Sequence, residues 1–579
     1  MSYPKNAVAH YRNFQGINEK ASEYTTTNAQ ALNLRNIDFY VPNAWGKTPG
    51  STQAITNGTS GTIRSLFEFE KLSGESWIIS SSNNEVLISN GTTGWSSISS
   101  GWTNGQVEDS LAFVDKAWIA NGQKFISYDG TSAIPYGMTT WDRDLDETPT
   151  YNQGLSFFTV FGETQTTWAG NSTGQRAILY GFYVNIRDDG YLSPIDIAKT
   201  APAIRPLTPS TLNSPGRSHW IGSTSGNYGE NVTVAIRGFT APSGQGVAGH
   251  ALFLALDVFN GISSNVMQIT TKNQFSSNPK LVGSISDFYL YATYAAGVTI
   301  AYINGETAGW NELKATMSSF SLMTENFFAS YTPKYIELNN NRLFMSGYSA
   351  APSTVWFSDT AEPEVVQAES FFEVRTNDSD KVTGLKQYQN QLLVFKERSF
   401  HKLIGTQESN FQLVEISTEY GCLSNKAIVE FDDRLMFLDR DGIVEYNGAS
   451  WRIMSTPIED TMRTLNISAA KEKAVSVHYK ERNQVWFGIP VNGSSENNLT
   501  VVYDYLLNAW TFIEGFNPSS FAIIKQGLTK QTVYYGNYSG SVNYMSPSFF
   551  SYNGTAFTCT IETGFDAPDR QDRDWETYN

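Results

Sequence analysis

A short unit recurs along the chain every 41 to 50 residues, and this repeat constrains the fold more than any other feature of the sequence. Each copy opens on a turn residue and a polar residue, then runs into a burst of aliphatic and aromatic side chains. In the second half the copies read Asn341-Arg-Leu-Phe-Met, Asn390-Gln-Leu-Leu-Val-Phe, Asp433-Arg-Leu-Met-Phe-Leu and Asn483-Gln-Val-Trp-Phe, at offsets of 49, 43 and 50 residues. A weaker copy, Lys530-Gln-Thr-Val-Tyr-Tyr, follows 47 residues later. Near the N-terminus, Gly74-Glu-Ser-Trp-Ile-Ile and Asp115-Lys-Ala-Trp-Ile-Ala lie 41 residues apart. Strand-like sequence at this period fits one four-stranded β-propeller blade per repeat. The seven copies predict an all-β propeller of five to seven blades.

Turns recur inside the units as well. Asp441-Gly442 and Asn447-Gly448 flank a short strand, and Asn90-Gly91 and Asp129-Gly130 repeat the theme. Such pairs accept the positive φ angles of primed hairpin turns, so they belong between antiparallel strands. Composition agrees: 14% of residues are aromatic, and 46 glycines supply tight turns. With 40% hydrophobic against 17% charged residues, the chain has the material for packed cores.

Between residues 141 and 330 the repeat stops while strand-like sequence continues, as in Arg176 to Ile186, Val232 to Ile236 and Phe288 to Tyr294. This predicts a β-sandwich inserted into the propeller, with a Pro-, Ser-, Gly- and Asn-rich loop from Pro202 to Gly229. The expected organisation is an extended arm at 1–64, the first blades at 65–140, the insert at 141–330, the remaining blades at 331–556 and a tail at 557–579. Helix is expected only around Ile458–Leu465.

The formal net charge is -16, which disfavours a protein that grips nucleic acid by its phosphates. Two cysteines, Cys422 and Cys559, exclude a disulfide scaffold and leave a single bridge or two free thiols, two buried thiols being expected. The start lacks a hydrophobic signal region, and no window has the length of a membrane span. A soluble chain made in the cytoplasm is expected.

No catalytic, cofactor or metal site emerges. Asp142-Arg-Asp-Leu-Asp-Glu147 spaces carboxylates like the start of a calcium loop, but lacks its Gly at position 6 and Glu at position 12. It reads as a solvated acidic connector. Asp439-Arg-Asp441-Gly442 is explained by a hairpin turn. The five histidines, His10, His219, His250, His401 and His478, form no zinc or nucleophile–base pattern. The turns ending in Trp95 and Trp451 resemble those of sialidase propellers, without the Asp those turns carry; packing of a turn by its Trp is the simpler reading. Carboxylates brought together from separate blades keep a glycan-cleaving enzyme open as an alternative.

Four stretches carry a resemblance to a known family. Phe14-Gln-Gly-Ile-Asn18 with Trp45-Gly-Lys-Thr-Pro-Gly50 looks like its opening, Thr48 standing where the family's turn has an arginine. Tyr183 to Pro194 looks like a strand–Asp-Gly–strand piece of its inserted sandwich. Leu343-Phe-Met-Ser-Gly347, with Pro352 to Asp359 and Glu362-Pro363, looks like its central blade. Gly421-Cys-Leu-Ser424 with Leu435 to Ile443 looks like the next. Together they resemble the propeller proteins at the tail nozzle or head-to-tail closure of short-tailed bacteriophages, also called packaged-DNA stabilisation proteins. The likeness runs in order over most of the chain. The chain stops soon after its last repeat, where relatives continue, and no distal appendage is expected.

The resemblance implies a non-enzymatic virion protein of the tail, a homohexamer in a ring around the DNA channel. It implies the phage portal, adaptor and tail fibre proteins as partners, and genomic DNA retained in the lumen and later released. No cofactor comes with it. From the charge, the ring's inner wall is expected to be acidic or neutral and to hold DNA weakly. A propeller that binds host surface glycans is the alternative from another functional class.

Overall fold

The computed structural model describes residues 15–22, 30–39, 46–137 and 332–563 apart from short gaps, and between 138 and 331 only strand segments and the residue leading into one of them. Seven antiparallel sheets carry the repeats. Blade 1 consists of Ile63–Glu70, Ser76–Ser82, Glu85–Ser89 and Ser96–Ser100. Blade 2 covers 109–135, blade 3 covers 335–373, blade 4 covers 382–417 and blade 5 covers 428–453. Blade 6 runs from Val475–Tyr479 to Ala509–Ile513, and blade 7 from Pro518–Gln526 to Val542–Ser546. First strands of successive blades lie side by side except those of blades 4 and 5, and that of blade 7 lies beside that of blade 1. Blades 4 and 5 meet through the 3-10 turn Asn425–Ala427, where Leu385 N–H donates to Asn425 Oδ1 at 3.0 Å. The circle closes as a propeller of seven blades, the upper end of the expected range.

Every copy of the sequence repeat is the second strand of a blade. The turn residues before it close the first hairpin with positive φ: 49° and 57° at Asn340 and Asn341, 49° and 58° at Gln389 and Asn390, 40° and 58° at Asp432 and Asp433. Blade 2 puts Val114 in the same place at 51°, a strained position for a β-branched side chain. The apolar burst follows from burial on both faces of the sheet, which removes the usual alternation with polar residues. In blade 4, Leu392 and Val394 pack with Phe344, Val355 and Phe357 of blade 3. Their neighbours Leu393 and Phe395 pack with Leu435 and Phe437 of blade 5. Met436 and Leu438 point the other way, to Val485 and Phe487 of blade 6. Trp486 then joins Val533 and Tyr535 of blade 7. Each such side chain contributes about 1.5–3 kcal/mol on burial.

The last two blades are completed by the chain ends. Gly50–Gln53 is the fourth strand of blade 7, in register from Ser546↔Gly50 to Asn543↔Gln53. Asn33–Arg35 extends the sheet of blade 6, parallel to Ala509–Ile513 and antiparallel to Thr560–Glu562. Between these strands Asp38 is buried, accepting from Arg482 and from Gln484 Nε2 at 2.8 Å. The described parts of 1–64, expected as an arm, and the start of 557–579, expected as a tail, therefore supply strands that cover outer edges. An uncovered outer strand leaves a row of backbone donors and acceptors that invites mispairing.

Residues Ile134–Ser330 and Glu362–Gln367 form a second compact unit. Its sheet orders Thr159–Phe161, Gln175–Arg187, Val247–Asn260 and Tyr289–Ala295, with Arg205–Pro206 beside Gln175–Arg187; a separate ribbon pairs Thr233–Arg237 with Ile300–Asn304. Strands thus occupy the interval expected for the insert, while the face-to-face packing that defines a sandwich lies outside the described residues. Arg187 and Glu364 make a buried two-pronged ion pair within this unit, one prong at 2.9 Å. Helix appears as Glu459–Arg463, as expected, and also as Ile467–Lys473, which Asn466 caps through Ala469 N–H at 3.4 Å.

Candidate functional site

The sequence-derived candidates that the structure describes form no cluster. Asp142–Glu147, His10 and His219 lie outside the described residues, and of His250 only the backbone is described. Among the described residues no group of three His, Cys, Asp or Glu could hold a metal ion. Asp439 accepts from Asp441 N–H at 2.9 Å, the hairpin turn expected for that motif, and also from Gly421 N–H at 2.9 Å. Gly421 is required there, since a Cβ would strike the backbone of Lys396 and Glu397. Cys422 is buried and burial pushes its thiol far up, so it is inert. Cys559 is free and exposed, which corrects the expectation of two buried thiols. It sits on a chain end laid over an edge, not in a core.

His401 is buried with neither ring nitrogen hydrogen-bonded, and burial holds its pKa below the ordinary value. The adjacent Lys396 is fully buried and donates to Val374 O at 3.0 Å, Arg375 O at 2.9 Å and Asp378 Oδ1 at 2.6 Å. That lysine pins the connection from blade 3 to blade 4, a structural task. Trp451 packs on Tyr420 with ring centroids 4.5 Å apart, which bears out turn packing as the role of that tryptophan.

Charged side chains gather on the first strands. Asp109 of blade 2 accepts from Ile336 N–H of blade 3 at 3.0 Å, from Asn425 Nδ2 at 2.8 Å and from Lys426 Nζ at 2.7 Å. Glu337 of blade 3 lies 3.7 Å from Lys386 of blade 4. Burial pushes the Glu337 carboxyl up, and the Glu337 carboxylate holds the Lys386 ammonium above its usual value. Glu70 of blade 1 meets Lys525 of blade 7 at 2.6 Å. These groups tie the blades to one another.

Asp504 shows what a buried carboxylate does in a turn here. Its Oδ1 accepts from Leu506 and Leu507 N–H at 3.1 and 3.0 Å, yet burial pushes its pKa up to about 6. The folded chain therefore binds this proton more tightly than the unfolded chain. Its contribution to stability is greatest below pH 3.8 and is lost as pH rises through about 6. Asp504→Asn keeps an oxygen for both donors and removes the charge. It is expected to raise stability by about 1–2 kcal/mol at pH 7, and by much less at pH 4, in thermal melts at the two pH values.

A depression lies at one end of blade 5, where the turn after its second strand meets the connections on either side of the blade. It has a volume of about 520 Å³ and is lined by Tyr420, Arg440, Asp441, Ile453, Thr456 and Arg463 among others. Arg440 is drawn to Glu397 at 3.8 Å, while Arg463 pairs with Glu459 at 2.6 Å and Asp460 at 3.3 Å. The Asp441 carboxylate is exposed and takes no bond from a protein donor among the described residues. Sequence reading missed this site because its walls come from three separate segments; the only cue was the Asp441-Gly442 turn.

Fold and site together define a seven-bladed β-propeller protein with no assembled catalytic constellation among its described residues. No family model matches the chain. No curated protein matches it either. Among solved structures it is similar to the Dos1 propeller, at 9% identity and a TM-score of 0.35, covering 88% of this chain and 98% of that one. The computationally designed Ika8 protein is similar at 9% identity and a TM-score of 0.30, covering 85% and 99%. BBS1N, solved in complex with ARL6DN, is similar at 9% identity and a TM-score of 0.26, covering 87% and 99%. No helix among the described residues is long and apolar enough to cross a membrane.

Proposed function

We propose that the chain is a structural subunit of a bacteriophage tail, a nozzle or head-to-tail closure component that forms a ring around the DNA channel, retains packaged DNA and passes it during ejection. The observation that carries the assembly reading is where apolar side chains remain exposed. Among the described residues the large exposed ones are Leu72, Val114, Phe371, Ile404, Val414, Leu506, Leu507 and Phe550. Leu72 and Val114 sit in first hairpins, Leu506 and Leu507 in a last hairpin. Phe371, Ile404 and Val414 lie on strands flanking a last hairpin, and Phe550 follows the third strand of blade 7.

In a propeller the first and last hairpins of every blade emerge on the same side, because all first strands run in one direction. That side therefore carries the apolar tips, and the side of the long connections carries none of them. Water-exposed leucine and phenylalanine side chains segregated in this way suit contact with neighbouring subunits. The resemblance in sequence supplies the virion context, and the charge of -16 suits a wall along which DNA slides.

The purified chain is expected to form rings visible by electron microscopy, and Leu72→Asp with Leu506→Asp and Phe550→Asp is expected to leave monomers by light scattering. The ring should bind duplex DNA negligibly at both low and physiological salt. A wild-type chain that stays monomeric at high concentration, or tight DNA binding that weakens steeply with salt, would count against the reading.

A further inference from the structure

We propose that the depression on blade 5 binds a neutral oligosaccharide. Its walls divide by chemistry. Ile453, Leu465 and Ile467, over the buried Met462, make an apolar floor, and the half-buried ring of Tyr420 stands beside it. Trp451 holds that ring from behind, so it keeps one orientation at little conformational cost. The rim carries Arg440 and Arg463 against Asp441 and Glu459, two guanidiniums against two carboxylates.

That balance disfavours a polyanion such as DNA, which needs an excess of cationic groups. It suits a ligand that is apolar on one face and rich in hydroxyls at its edge, the amphipathic character of a pyranose ring. Asp441 is free to accept from hydroxyl groups, and Arg440, held only at 3.8 Å by Glu397, is free to donate to them. Hydrogen bonds to charged groups of this kind are the stronger ones. The volume of about 520 Å³ falls within the range of small-molecule sites and accommodates a few sugar units.

The site lies on the side of the long connections, opposite the apolar hairpin tips, so ring assembly leaves it accessible. The inference does not depend on the ring, and each can fail alone.

The test uses the full chain and an array of neutral tri- and tetrasaccharides of hexose and N-acetylhexosamine, with titration of any retained sugar by tryptophan fluorescence. Binding of at least one sugar is expected, weakened about tenfold or more by Asp441→Ala and by Tyr420→Ala, with fluorescence changes that disappear in Trp451→Phe. Asp441 is exposed, so its variant is expected to melt as the wild type does. No binding to any neutral sugar at millimolar concentration overturns the proposal. So does binding that the Asp441 and Tyr420 variants leave unchanged, or retention of acidic sugars alone.

Discussion

A chain lacking residues 1–55 is expected to lose its folded state, not merely one strand of it. The deletion removes the fourth strand of blade 7 and the added strand of blade 6. It also removes Leu34, Ile37, Phe39 and Ile55, each no more than 4% exposed. At about 1.5–3 kcal/mol for each side chain, their burial contributes about 6–12 kcal/mol. A whole domain is commonly stable by only about 5–15 kcal/mol. The truncated chain should therefore aggregate or show no cooperative melt by circular dichroism. A soluble truncated chain melting within a few degrees of the intact one would show that the propeller closes without its N-terminal strands.

Glu108→Ala is expected to cost about 3–5 kcal/mol, the usual penalty for stranding a buried charge. Glu108 is wholly buried just before the first strand of blade 2 and accepts from Arg64 Nη2 of blade 1 at 3.1 Å and from Ser81. Removing the carboxylate leaves the Arg64 guanidinium, itself only 4% exposed, without its counter-charge. Replacing both, Arg64→Met with Glu108→Leu, should recover most of the loss, because the pair offsets its own desolvation only in part. Thermal melts of the single and double variants read the difference. Equal destabilisation in both would mean that packing, not charge, accounts for the effect.

The repeat was legible, and with it a propeller of five to seven blades, because the second strand of each blade is buried on both faces and so spells an uninterrupted apolar run after a turn pair. Asn390 to Phe395 and Asp433 to Leu438 are the clearest cases. The closure was not legible. Gly50-Ser-Thr-Gln53 is a polar outer strand whose partner lies almost five hundred residues away, and nothing in its composition announces it. The same holds for Asn33–Arg35 and Thr560–Glu562, short strands recognisable only by what they cover. The depression on blade 5 stayed hidden for a related reason. Tyr420, Asp441 and Arg463 belong to a connection, a turn and a helix, and their meeting is a property of the folded ring alone. What was missed at Cys559 follows from the same closure, since a thiol expected to be buried borders a strand that lies on the surface.

The salt bridges at the hub bear on where a channel in the proposed ring can run. First strands stand about the propeller axis, and Asp109, Glu337, Lys386 and Lys426 tie the blades to one another there. Asp109 of blade 2 reaches Asn425 and Lys426 in the connection between blades 4 and 5, a tie that braces the hub across its width. In the ring proposed above, a hub braced across its width leaves the DNA channel to the space between subunits, walled by outer strands and loops. Substitutions at the hub are then expected to alter how firmly each propeller holds together, and substitutions on the outer strands to alter what the proposed ring lets pass.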